Sequence, residues 1–254
     1  MLKSLVLTAF RRAGYQVVKR PRETYQLHSN FNKAAFEETV ERVRQISAAH
    51  DPSGSLWQMA KKYMTARRTS FYYEVLEVME QAGVVLDGRT VLDVGAFFGS
   101  MLYVMHEHHP QGKYHGIELS DRALRIATEL CPFATFRQCP MEELDVNEKY
   151  DVILLEEVLE HIAKPEQALQ SLWPRTKDSL VITVPNGRYD CHPAREYIEA
   201  GGCYRGHVNF WSPESWPNWI EQQVPNCRLR TGELPSSQLY AILQRSDAAE
   251  CSAS

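Results

Sequence analysis

The sequence predicts an α/β fold: a doubly wound, mostly parallel seven-stranded sheet with an antiparallel pair at its C-terminal edge and a helical extension in front. Three observations carry this. From Arg89 onward, short apolar runs alternate with stretches of helical periodicity. The first of those runs feeds straight into a glycine turn, VLDVGAFFGS (91–100). Two final runs, CRLRTGEL (227–234) and QLYAILQR (238–245), are separated only by the turn-like PSS, which fits a strand pair closing one edge.

The extension covers residues 1–82. It begins MLKSLVLTAFRRAGYQVVKRPR (1–22), with six basic residues and no acid before Glu23. Leu2, Leu5, Val6, Ala9 and Phe10 fall at helical spacing. The apolar core is short for a secretory signal and no A-x-A site follows. Such a helix either docks on the protein's own body or a second subunit, or lies on anionic lipid at the inner membrane face. After the loop signal HDPSGS (50–55) come one or two helices rich in aromatics, Trp57, Tyr63, Phe71, Tyr72 and Tyr73.

The body, 83–246, carries strands at 90–94, 113–119, 134–138, 151–155 and 179–184. Between them lie helices at 99–109, 121–130 and 157–173, with a short one at 141–144. The segment 187–219 is dense in Gly, Pro, His and Trp and fits no element; a long irregular stretch inside a compact domain is usually a functional loop. The tail 247–254 is expected to fray.

The 254 residues suffice for one large domain, and 44% hydrophobic with 24% charged is ordinary for a soluble globular chain. A net charge of −4 argues against a nucleic-acid-binding surface. The six cysteines form no CxxC pair and are read as reduced thiols of a cytoplasmic protein. Cys191, His192, Cys203 and His207 are zinc-like in type, but their spacing is irregular.

Gly95 allows a backbone conformation closed to other residues and lets a ligand approach the main chain. Gly99 opens the next helix, whose N-terminus offers free N–H groups. The second strand ends at Glu118, and ligands of open α/β sheets sit at that end. An acid there is placed to accept hydrogen bonds from two ribose hydroxyls. The nicotinamide fingerprint G-x-G-x-x-G is absent. The spacing D-x-G-x-x-x-G instead resembles the first motif of class I S-adenosylmethionine-dependent methyltransferases, with a Rossmann-like sheet. Further matches run from about residue 88 to 185: GIELS, CPMEEL (139–144), YDVILLEEVLEHI and TVPN (183–186).

That resemblance implies S-adenosylmethionine as cofactor. It implies that Asp93 orients the turn and the methionine amino group, and that Gly95, Ala96 and Gly99 make room. Glu118 grips the ribose, Leu119 packs on adenine, Met141 and Glu142 follow its edge, and Glu156 borders the methionine. Two positions depart from the pattern: Phe97 replaces a second glycine, and Pro140 replaces an aspartate that holds the adenine amine. Apart from that resemblance, the aromatic stretch Trp57 to Tyr73, with Arg67 and Arg68, has two readings: a lining for the mouth of the site, with the extension as its lid, or aromatics that are mostly core.

EEVLEHI (156–162) follows the buried run DVILL. On a helix, Glu157, Glu160 and His161 at i, i+3 and i+4 share a face. Helix-dipole stabilisation accounts for acids in a first turn but fades beyond it. Three readings stay open: a metal site for Mg²⁺, Mn²⁺, Fe²⁺ or Zn²⁺ made by Glu157, Glu160, His161 and a distant His207; His161 or His207 as a metal-free general base; or a structural cluster. The E-x-x-E-H pattern with a later histidine resembles ubiquinone-biosynthesis O-methyltransferases and small-RNA 2′-O-methyltransferases, which implies a cation gripping the acceptor oxygens. The expected acceptor is a hydroxyl of a small molecule or glycan, ahead of an RNA 2′-hydroxyl. A non-catalytic S-adenosylmethionine-binding regulator is the alternative of another class.

Overall fold

The structure, a computed structural model, describes residues 26–189, 196–198 and 203–246. The basic start, Cys191, His192 and the tail lie outside the described residues. The elements are α1 (Lys33–His50), α2 (Ser55–Lys61), α3 (Ala66–Gln81), β1 (Thr90–Val94), α4 (Ser100–His108), β2 (Lys113–Glu118), α5 (Asp121–Leu130), β3 (Thr135–Gln138), β4 (Tyr150–Glu156), α6 (Pro165–Leu172), β5 (Thr176–Pro185), β6 (Glu196–Ile198), β7 (Cys203–Arg205), α7 (Trp216–Gln223), β8 (Cys227–Glu233) and β9 (Gln238–Arg245).

Seven strands form one sheet in the order β3-β2-β1-β4-β5-β9-β8. The first five run parallel; β9 is antiparallel to both β5 and β8. This is the doubly wound, mostly parallel sheet with an antiparallel C-terminal edge that the sequence predicts. β4 and β5 read as near-continuous apolar runs because helices cover both faces. Val152, Leu154 and Val181 pack towards α3 and α4, while Ile153, Leu155, Leu180 and Ile182 pack towards α6 and α7. The side-chain period of two in a strand produces this alternation.

Local chemistry fixes the helix starts. Asn32 caps α1, its side chain accepting from Ala34 N and Ala35 N. Thr65 caps α3 by accepting from Arg68 N, and Ser120 caps α5 by accepting from Ala123 N. The helix expected over 141–144 is a single 3₁₀ turn, Met141–Glu143.

The helix expected over 157–173 does not form as one piece. Glu157 takes φ 53°, Leu159–His161 make a 3₁₀ turn, and the α-helix begins only at Pro165. Proline restricts the residue before it to extended backbone, and Lys164 has ψ 74°. Pro165 therefore starts a helix and cannot continue one. Within the segment that fits no element, the structure places the short β6–β7 hairpin and the start of α7.

Candidate active site

The C-terminal ends of β1, β2, β4 and β5 open into one cavity of about 1080 Å³. That is at the upper end of the about 300–1,000 Å³ usual for a small-molecule site.

Gly95, at φ 80°, turns the chain off β1, and the N–H groups of Gly95 and Ala96 both donate to Ile117 O, at 2.9 and 3.0 Å. A Cβ on Gly95 would stand 2.8 Å from Val158 Cγ2, so a side chain would close the cavity wall there. Phe97, where the resemblance expects glycine, takes φ 46°. The left-handed region costs an ordinary residue about 1–2 kcal/mol. Two contacts hold it: its N–H donates to Glu118 Oε2 at 3.1 Å, and its ring lies 4.7 Å from Tyr63 and 3.8 Å from Phe98. Glu118 Oε1 accepts from Leu119 N and Ser120 N at 2.9 and 2.8 Å. The carboxylate is thus fixed by three backbone donors from two strand ends.

Gly99 is a correction. It does not line the cavity; its missing side chain leaves room for Cys131 Sγ and Phe136 Cζ, 3.0 and 3.1 Å from where a Cβ would sit. Its φ of 73° makes it the entry to α4, so it serves helix packing. Asp93, Gly95, Ala96, Glu118, Leu119, Met141, Glu142 and Glu156 all line the cavity.

Asp93 is 4% exposed, and burial, with the charge of Glu118, pushes its pKa up to about 7. Burial and the nearby Asp93 push Glu156 well above the usual range, while Arg68 opposes the shift. Glu156 Oε1 is buried and accepts no hydrogen bond among the described residues. These two carboxyls stand at the ends of neighbouring strands, and burial is the main cause of both shifts.

Glu157 N donates to Thr183 O at 3.0 Å, and its Oε2 lies 3.8 Å from Arg68 Nη1. Glu160 is 1% exposed. Its backbone carbonyl accepts from Val208 N (2.8 Å) and Asn209 N (3.3 Å), and Asn209 Nδ2 donates to Leu159 O and Ile162 O at 2.9 and 2.7 Å. These bonds fasten the 206–209 segment onto the 3₁₀ turn and bring His207 beside His161, with ring centroids 4.8 Å apart. His161 Nδ1 lies 2.9 Å from Gly206 O. A carbonyl only accepts, so Nδ1 donates to it, and Nε2 lies 3.8 Å from Glu160 Oε1.

One ligand atom each from Glu160, His161 and His207 lies within 4.8 Å of the others. Glu157 stands outside this trio, on the Arg68 side. The i, i+3, i+4 helical face expected for Glu157, Glu160 and His161 is therefore corrected: with no α-helix there, Glu160 and His161 meet His207 through the turn and its backbone bonds.

Arg67 and Arg68 do line the cavity, with Tyr63 and Tyr72. Sequence reasoning missed Asn186, Tyr189, Ser236 and Gln238 as lining residues. The only local trace of the last two is the PSS turn; their placement comes from the pairing of Gln238 with Pro185 across the sheet.

A sequence profile described as "Methyltransferase domain" matches residues 34–223, most of the chain. The chain belongs to this methyltransferase family. It is an S-adenosylmethionine-dependent methyltransferase, and the fold agrees. The methyltransferase resembles the plantazolicin methyltransferase BpumL, solved in complex with a pentazolic desmethylPZN analog and SAH: 16% identity and TM-score 0.57, covering 85% of this chain and 100% of that one. It is also similar to an S-adenosylmethionine-dependent methyltransferase from Clostridium acetobutylicum (10% identity, TM-score 0.52, 69% of this chain and 91% of that one). A third is the methyltransferase domain of bacterial CtHen1-CN (16%, TM-score 0.51, 68% and 96%). At such identities these likenesses concern the fold. No curated protein matches the sequence. No described helix is long and apolar enough to cross a membrane.

Proposed function

We propose that this methyltransferase methylates a hydroxyl group of a small molecule or of a sugar or glycan end, with a divalent cation at Glu160, His161 and His207. The observation that carries the proposal is that trio, within 4.8 Å and lining the same cavity as Asp93, Glu118 and Glu156. One carboxylate and two imidazoles suit Mn²⁺, Fe²⁺ or Zn²⁺ better than Mg²⁺, which prefers oxygen ligands.

S-adenosylmethionine supplies a methyl group already activated by its sulfonium. The chain's residues then have to hold the cofactor and prepare the acceptor. Asp93 and Glu156 flank the cationic methionine end, and Glu118 accepts from the ribose. Leu119, Met141 and Glu142 bound the adenine, and Gly95 and Ala96 admit close approach of the main chain. His161 is oriented by Gly206 O, and its Nε2 is the atom that would bind the cation or take the acceptor's proton. Hydrogen bonding of a ligating histidine's other nitrogen to a carbonyl is the usual device for fixing the ring. Glu157, just past the end of β4 and 3.8 Å from Arg68, lies outside the cation site proposed here.

Chelation tests the cation. Exhaustive dialysis against EDTA is expected to lower methyl transfer by about 100-fold or more, the range in which metal or base assistance falls, and to leave SAH affinity nearly unchanged. Full turnover in metal-free buffer would remove the cation and leave His161 or His207 as the base.

The raised Asp93 gives a second expectation. The ammonium of the ligand, set beside Asp93 in this reading, favours its charged form, present above about pH 7, so protons compete as pH falls. SAH affinity is expected to drop about tenfold between pH 8 and pH 6, for one proton displaced per ligand bound. A flat calorimetric profile over that window would separate Asp93 from the ammonium.

A further inference from the structure

The turn between β8 and β9 forms a second wall of the cavity, apart from the trio. α3 holds it: Arg67 Nη2 donates to Ser236 O at 3.1 Å, and Ser236 N donates to Glu74 Oε2 at 2.9 Å. Glu74 is itself buried, at 2%. Asn186 N donates to Ser237 O at 3.2 Å, tying the turn to the end of β5. Ser237 takes φ 71°. The backbone of the turn is therefore fully engaged.

Its side chains are not. Ser236 is 2% exposed and lines the cavity, yet its Oγ has no hydrogen-bond partner among the described residues. Gln238 also lines the cavity, and its Oε1 is buried with no such partner. Leaving a buried polar atom unpaired costs about 1–3 kcal/mol, and native structures keep few of them. Two occur within three residues of each other, on a turn held by α3 and β5, in residues that line the cavity.

We propose that Ser236 and Gln238 form a hydroxyl-reading subsite that selects a neutral, polyhydroxylated acceptor such as a pyranose. The inference rests on the hydroxyl acceptor proposed above and narrows its class. Both orphaned atoms are neutral: a hydroxyl that can donate or accept, and an amide oxygen that can accept. An anionic acceptor fits worse, because Asp93, Glu118, Glu156, Glu157 and Glu160 share the cavity. Arg67 and Arg68 already engage Ser236 O and Glu157. A planar diol would use its two oxygens at the trio and leave Ser236 and Gln238 unpaired. A sugar ring carries further hydroxyls away from the one to be methylated.

The test is binding to the full-length, SAH-loaded protein, measured by saturation-transfer NMR and calorimetry. The probes are methyl hexopyranosides, their monodeoxy analogues, methyl glucuronide and catechol. At least one hexopyranoside should bind, and losing the hydroxyl that meets the turn should weaken it at least about tenfold, since a site built around a hydroxyl rejects the analogue lacking it. Ser236→Ala and Gln238→Leu should each weaken the hexopyranoside to the same degree with SAH affinity unchanged. Ser236→Ala should also melt no lower than wild type, because it removes an unpaired buried hydroxyl. The proposal is overturned if no hexopyranoside binds, if catechol or the glucuronide binds more tightly, if both variants bind sugar normally, or if Ser236→Ala is destabilised. Because the readout is binding, a sugar that binds as expected but is never methylated would sink hydroxyl methylation while leaving the subsite.

Discussion

Replacing His161 by alanine is expected to lower methyl transfer about 1,000-fold while SAH affinity stays close to wild type. General base assistance contributes about 10²–10⁴-fold, and a cation that stabilises the acceptor's developing charge contributes several kcal/mol. His161 serves in either case, so the loss is large under both chemistries. The residues proposed to hold the cofactor are carried by β1, the glycine turn, β2, the Met141–Glu143 turn and the end of β4, not by the turn that carries His161. The variant should fold. The 206–209 segment stays fastened by Val208 and Asn209 donating to Glu160 O and by Asn209 Nδ2 on Leu159 O and Ile162 O. Glu160→Gln separates the two chemistries. It keeps shape and removes a charged ligand, so it should fall almost as far if a cation is held, and much less if His161 works alone as a base. Turnover of His161→Ala within about threefold of wild type, against the 10²–10⁴ expected, would leave the trio a structural cluster.

What the sequence made legible follows from how local each feature is. The central strands β4 and β5 are near-continuous apolar runs because both faces of the sheet are covered, and all five parallel strands appear within a few residues of their limits. Glu118 and the glycine turn are also local: strand, turn and helix follow one another in the chain. The run 157–173 was misjudged because its helical periodicity is real only from Pro165 on. Proline's effect on Lys164 and the left-handed Glu157 outweigh the charge pattern. His207 was reachable through a family resemblance alone. What brings it to His161 is a set of backbone hydrogen bonds from residues 208–209 to residue 160, and backbone bonds leave no mark on side-chain identity. Gly99 shows the opposite error. A glycine in a ligand-binding turn suggested room for the ligand, whereas the space is taken by Cys131 and Phe136 from the next layer. Ser236 and Gln238 were invisible because their place depends on antiparallel pairing across about 50 residues of chain.

Glu118→Ala is expected to weaken SAH binding by more than about 100-fold, since charge-assisted hydrogen bonds are worth about 1.5–3 kcal/mol each. Two losses combine. The ribose loses its acceptor, and three backbone donors, Phe97 N, Leu119 N and Ser120 N, lose theirs. The second loss frees Phe97, whose φ of 46° is then held only by its contacts with Tyr63 and Phe98, so the glycine turn should also become less ordered. An opposing effect exists: Glu118 repels Asp93, and removing it relieves part of that strain. The relief is the smaller quantity, because burial is the larger cause of the Asp93 shift and is untouched. It nevertheless gives an independent readout. With Glu118 gone, Asp93 should ionise more easily, and the pH at which protons begin to weaken SAH binding should move below about 7. Glu118→Gln should fall between, since one amide oxygen replaces two carboxylate oxygens and its NH₂ meets donors it cannot satisfy. A folded Glu118→Ala variant that binds SAH within about threefold of wild type, far from the loss expected for such bonds, would take the ribose contact away from Glu118 and leave it the lesser task of bracing the turn.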